Sequence, residues 1–187
     1  MIILILAASA QRQSVNKRLA HSIELLLRAR GFADIERPDF KSFTMPMYDG
    51  DLEMENGVPA AARDLADHVQ KADAVIICTP EYNGSIPGSL KNALDWVSRL
   101  SPHPLIGKPV LMTGASPGVL GSIRSLWHSR VPFEALGAFV FPEMFGLGLA
   151  TNAFDTDGQL KDPKRQQQLA QLCEKFLALA VRAKASV

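Results

Sequence analysis

Four short runs in this chain are apolar at nearly every position: Ile2–Ala7, the stretch from Asp73 to Cys78, Pro109–Thr113 and Ala138–Phe141. A strand with one wet face alternates polar and apolar residues, whereas a strand covered on both faces reads as a continuous apolar run. The runs therefore predict core strands that need a layer above and a layer below. The stretches between them carry helical spacing. Val15, Leu19, Ile23 and Leu26 form one stripe, with Gly31 as a stop. Pro59–Gln70, Gly88–Arg99 and a segment ending near Ser129 read as further helices. A final helix spans Pro163–Lys184 and places Leu169, Leu172, Phe176, Leu179 and Ala180 near one side. A short strand is expected near Ala33–Glu36, cut off by Pro38. Residues 39–57 read as irregular, broken by Pro46 and the Asp49-Gly50-Asp51 turn. Strands alternating with helices predict an α/β fold: a doubly wound, five-stranded parallel sheet with helices on both faces and right-handed crossovers.

At 187 residues the chain is expected to form a single domain, 1–187. Lys and Arg number 20 against 19 Asp and Glu, a net charge of +1, which argues against non-specific nucleic-acid binding as the main task. The balance is an average over a basic segment before residue 31 and an acidic one from 31 to 75. Cys78 and Cys173 form no CxxC pair, which excludes a zinc ribbon, a disulfide framework and a dithiol redox motif. Cys78 sits in a strand run and reads as a small buried hydrophobe. His21, His68, His103 and His128 show no metal-ligand spacing, so no metal site is expected. The opening apolar stretch lacks a preceding Lys or Arg and is short for a secretion signal. No run approaches a membrane span. The expected location is the cytoplasm, away from membranes.

Ligands of open parallel sheets bind outside the carboxyl ends of the strands. Three loops lie there. The first, from Ala8 to Asn16, joins a strand to a helix, so backbone N–H groups and the helix dipole favour an anion. Ser9, Ser14 and Asn16 add polar groups, and Arg12 and Lys17 are close in sequence. With no glycine, the loop is neither a P-loop nor a GxGxxG turn; a simple capped helix start fits it as well. The second, from Pro80 to Gly88, is punctuated by turn residues and carries Tyr82. Turns free backbone amides there for a planar, carbonyl-rich ring. The third, from Gly114 to Gly121, is glycine-rich and lets a ligand approach the backbone. Together they suit a planar cofactor bearing a phosphate.

The stretch Pro80-Glu-Tyr-Asn-Gly-Ser-Ile-Pro-Gly-Ser-Leu-Lys-Asn-Ala-Leu-Asp-Trp96 resembles the signature of the NADPH-dependent FMN reductases, a flavodoxin-like family. Ser9, Ser14, Asn16 and Leu19-Ala20 resemble that family's phosphate loop and first helix. Met45–Asp49, Ala72–Ala74, and Ala115, Ser116 and Gly118 follow in the family's order. The resemblance implies a flavodoxin-like three-layer sandwich that binds FMN and uses NADPH or NADH. By it, Ser9, Ser14 and Asn16 bind the FMN phosphate, with Gln11 and Arg12 beside it. Pro80, Glu81, Tyr82, Asn83 and Gly84 line the isoalloxazine, and Ser116 and Gly118 close the other side.

The implied activity passes hydride from NAD(P)H to FMN, then electrons to a small-molecule acceptor such as a quinone, azo compound or metal oxyanion. No side chain is assigned an acid or base role. A homodimer or homotetramer is implied. Two positions depart from the family pattern Gly-Ser-x-Arg: Ala8 replaces the glycine and Gln11 the arginine, so a charge-assisted hydrogen bond is missing from its usual slot. Other readings remain open: an FMN-binding redox sensor, an electron carrier without NAD(P)H turnover, or a scaffold that has lost the flavin.

Overall fold

Every residue of β1 (Ile3–Ala7), β3 (Ala74–Cys78) and β4 (Pro109–Ala115) is buried, as continuous apolarity requires. The computed structural model describes residues 1–185. Its strands form one parallel sheet, with β2 (Ile35–Glu36) at one edge and β5 (Phe139–Val140) at the other, in the order β2-β1-β3-β4-β5. This is the flavodoxin-like strand order. A further strand, β6 (Phe145–Leu147), pairs with the carboxyl half of β4, while β5 pairs with its amino half. The fifth position of the sheet is thus two short strands in line. Pro142 lies in the interruption, where it has no N–H to give to a ladder. The apolar run Ala138–Phe141 marks only the first of the two.

The two faces of the sheet sort by alternation. Ile3, Ile5 and Ala7 pack with Leu19, Ile23 and Leu27 of α1 (Val15–Arg28) and with Leu169, Leu172 and Phe176 of α6 (Pro163–Ala185). Leu4 and Leu6 pack on the other side with α3 (Ala60–Lys71), α4 (Gly88–Val97) and α5 (Ile123–Ala135). Leu179 departs from the expected stripe and is partly exposed, whereas Leu177 is buried.

Two local expectations need correction. Residues 39–57 are not irregular throughout. They contain a 3₁₀ turn at Phe40–Phe43 and the helix α2 (Gly50–Asn56). Asp49 caps α2 by accepting a 2.8 Å hydrogen bond from the Asp51 amide. An Asp before Gly signals a turn and a helix start equally, and here the start prevails. The second correction concerns α5, which runs past Ser129 to Ala135 and carries Pro132. A proline this near a helix end removes one backbone bond, and Phe133 stays buried beside it. Among the described residues no helix is long and apolar enough to cross a membrane.

Candidate active site

Register brings the three loops to one edge. Ala7 pairs with Cys78, Cys78 with Thr113, and Ala115 with Leu147, so loop one, loop two, loop three and the exit of β6 lie side by side.

Loop one is tightly built on its inner side. Ser9 and Ser14 are buried, and the Ser14 hydroxyl caps α1 by accepting from the Asn16 amide at 3.1 Å. Asn16 is also buried, and both ends of its side-chain amide bond the main chain of Ala115. Its Nδ2 donates to the Ala115 carbonyl at 2.9 Å and its Oδ1 accepts from the Ala115 amide at 2.8 Å. That two-way bond stitches the start of α1 to the end of β4 and fixes loop one against loop three. The outer side is different. Gln11 and Arg12 are exposed, and the amides of Ala10, Arg12 and Gln13 have no acceptor among the described residues. Lys17 is paired with Asp39, and Arg18 donates to the Thr151 carbonyl. Arg12 is the loop's cation without a protein partner among the described residues.

Loop two folds into a two-residue turn. Tyr82 and Ser85 exchange backbone hydrogen bonds of 3.2 and 3.1 Å. Asn83 (φ 52°) and Gly84 (φ 76°) occupy the left-handed region between them, the type I′ pattern that Asn-Gly favours. Neither central amide has an acceptor among the described residues. Tyr82 is 51% exposed beside the turn. Pro80 is buried at the exit of β3.

The Glu81 side chain turns away from the loop's open face. With 8% of its surface exposed, its carboxylate accepts from the amides of Arg124 and Ser125 and pairs with the Arg124 guanidinium. It caps the first turn of α5, whose own Ser122 makes no side-chain cap. Burial pushes the Glu81 pKa up, but the bonds from Arg124 and Ser125 outweigh it and hold the group below the usual carboxylate range.

Loop three is held by close backbone approach. A Cβ on Gly148 would lie 2.3 Å from the Val119 carbonyl oxygen, so the exit of β6 and loop three touch main chain to main chain. The Ser116 amide donates to the Leu147 carbonyl at 3.0 Å, and the Ser116 hydroxyl to the Gly118 carbonyl at 3.1 Å. Gly118 is exposed.

Three contributors escape a reading of the sequence alone. Arg124 lies beside Gly84 and pairs with Glu81, and His128 bonds the Ser85 hydroxyl at 3.0 Å. Both stand on α5, far along the chain, and nothing in their spacing announces the contact. The Gly146-x-Gly148 pair was the available signal for the third, the β6 exit. Elsewhere Cys78 is buried and its thiol is pushed up to about 12 by desolvation, so it is no nucleophile.

The geometry offers a loop at a helix start with free amides for an anion. Beside it, a turn with two free amides faces the same edge as a glycine-rich loop. The family described as NADPH-dependent FMN reductase matches residues 1–152. A quinone reductase of Escherichia coli (strain K12) is 48% identical over 113 residues, which is 59% of this chain and 60% of that protein. The chain thus aligns with less than two thirds of that relative's length. A 2-hydroxy-1,4-benzoquinone reductase of Burkholderia sp is 31% identical, with 94% of both chains covered. Among solved structures, the flavoenzyme NAD(P)H:(acceptor) oxidoreductase FerB from Paracoccus denitrificans superposes with a TM-score of 0.81 at 26% identity, covering 97% of this chain and 98% of that one. An archaeal flavodoxin superposes at 0.58 with 12% identity over 98% and 99%, a likeness of fold alone. With the family match running through all three loops, the chain belongs to the NADPH-dependent FMN reductase family.

Proposed function

We propose that the protein is an NAD(P)H-dependent FMN oxidoreductase whose acceptors are quinone-type small molecules, with azo compounds and metal oxyanions as further candidates. The observation that carries this reading is the Tyr82–Ser85 turn, whose two left-handed residues leave a pair of amides free at the edge where loops one and three converge. FMN, when bound, accepts hydride from NAD(P)H and passes electrons onward. The chain's own part is to bind, orient and stabilise.

The Ser9 hydroxyl, the amides of Ala10, Arg12 and Gln13, and the start of α1 hold the phosphate. Arg12 supplies the charge that Gln11 lacks. The Ser14 hydroxyl, which caps α1 by accepting from the Asn16 amide, keeps its own proton to donate to the phosphate, while Asn16 shapes the loop through its two-way bond to Ala115. The amides of Asn83 and Gly84 stabilise negative charge at the ring's polar edge, and Tyr82, Ser116 and Gly118 border it. Pro80 and Glu81 fix the turn, the latter through α5. A second copy of the chain is expected to cover the exposed Trp127 and Val131 of α5, the helix whose Arg124 and His128 contact loop two, which light scattering would read as a dimer or tetramer.

The test is purified protein with FMN, NADPH and benzoquinone, followed by nicotinamide absorbance. Oxidation that depends on both FMN and protein is expected. Absence of oxidation with every quinone and flavin acceptor tried would overturn the reading.

A further inference from the structure

A groove of about 500 Å³ opens beside loop three, lined by Val119, Leu147–Leu149, Lys161 and Arg165 among others. It belongs to none of the three loops' inner faces. It shares a wall with them, because the Leu149 amide donates to the Gly118 carbonyl at 3.1 Å. Its size is that of a small-molecule site. Two large aliphatic side chains flank it in unusual exposure, Val119 at 76% and Leu149 at 65%. Leu149 is held at φ 50°, a left-handed conformation that a leucine adopts only when its surroundings impose it.

The groove's charge is uneven. Lys161 has no protein partner for its ammonium among the described residues. Arg165 lies 4.5 Å over the Phe145 ring and donates to the Gly146 carbonyl and to Gln168 at 2.7 Å, so its guanidinium is fixed in place. Asp162 also lines the groove, but one of its oxygens is taken by the Lys164 amide at 2.9 Å. Two cations thus stand against one partly occupied carboxylate. The wall between runs from Gly146 to Gly148, and at the two glycines the main chain lies too close to loop three to admit a side chain.

Apolar flanks beside two cations match a ligand with a flat apolar face and a phosphate at its edge. We infer that this groove seats the phosphorylated adenosine half of NADPH, and that Lys161, backed by Arg165, reads the ribose 2′-phosphate. The inference rests on the reductase reading for the identity of the donor. An extended dinucleotide whose nicotinamide end reaches the loops must lay its other end along a neighbouring surface, and this groove adjoins loop three directly.

The test is calorimetric titration of the FMN-loaded protein with adenosine 2′,5′-bisphosphate and with 5′-AMP, in wild type and Lys161→Ala. The bisphosphate is expected to bind about tenfold more tightly than AMP, the advantage of one charge-assisted contact, and Lys161→Ala to erase that difference. Val119→Asp, which places a carboxylate on the rim, should weaken the bisphosphate as well. In steady state, the ratio of kcat/KM for NADPH over NADH should fall by a similar factor in Lys161→Ala. Equal binding of the two fragments, binding of neither, or indifference to Lys161→Ala overturns the inference. The fragments need no turnover, so the two readings fail separately. A protein that prefers the bisphosphate yet oxidises no NADPH retires the reductase and keeps the groove; one that oxidises NADPH without that preference does the reverse.

Discussion

The stretch from Pro80 to Trp96 behaves as two different devices. Its first half ends strand β3 in a turn that leaves amides open to a ligand. The bonds of its second half run to another segment. Asn92 Nδ2 and Trp96 Nε1 both donate to the Pro46 carbonyl, at 2.9 and 2.8 Å, and Asn92 Oδ1 accepts from the Tyr48 amide at 2.7 Å. Tyr48 packs edge-on against Trp96 with ring centroids 5.0 Å apart. The carboxyl half is therefore a clamp that fixes the segment after β2 onto α4. A single motif reads as one unit in sequence because the turn and the helix that follows it are contiguous. In space one part is exposed chemistry and the other is buried packing. Changes in the second half should act on stability first, and changes in the first half on flavin binding.

The largest expected effect lies in the clamp. Trp96 is fully buried, so Trp96→Ala should cost about 3–5 kcal/mol by cavity formation alone. Chemical denaturation reads it as a lower midpoint with an unchanged slope. Retention of wild-type stability would refute the clamp. On the turn, Gly84→Ala forces a Cβ into φ 76°, at about 1–2 kcal/mol. Its Cβ would sit 3.6 Å from the Arg124 guanidinium, ordinary contact, so the cost is conformational. The FMN dissociation constant should rise in proportion to the distortion of the two amides. If Gly84→Ala lowers stability and leaves FMN affinity intact, the turn is not the ring's seat.

Glu81 joins the turn to α5, and its effect should be smaller and dependent on pH. The cap is worth about 1 kcal/mol. Because its folded pKa lies below the ordinary carboxylate value, the stabilisation is complete above that ordinary value and is lost as pH falls through the folded one. Wild type should therefore exceed Glu81→Gln in melting temperature at neutral pH, and the gap should narrow under acidic conditions. A gap that stays constant on acidification would show that the carboxylate's charge plays no part.

The core was legible because it rests on periodicity. Continuous apolarity marked β1, β3 and β4, and the helical stripe marked α1. The positions of the loops followed from the alternation of strands and helices. What escaped depends on contacts between distant residues. No local signal could tell that Asn16 would spend both ends of its amide on Ala115, or that Glu81 would cap a helix 43 residues away. The split of the last strand escaped because β5 and β6 are two and three residues long, too short for a period to show. The start of α2 escaped because a capping aspartate and a turn aspartate are the same residue.

Gln11 is where these two kinds of information meet, and it offers the subtlest test. The family resemblance implies an arginine in this slot, and the structure shows Arg12 one position on, exposed and without a protein partner among the described residues. If Arg12 reaches the phosphate, Gln11→Arg adds a second cation to an exposed site where one already serves. The gain should then be modest, about threefold in FMN affinity, since exposed charge pairs contribute about 0.2–1 kcal/mol. In an Arg12→Ala background the same change should restore more affinity than it adds to wild type, because it replaces a lost charge. Flavin fluorescence quenching in the four variants forms a double-mutant cycle. Additive effects would mean that Arg12 does not stand in for the missing arginine, and that loop one holds its phosphate by amides and serine hydroxyls alone.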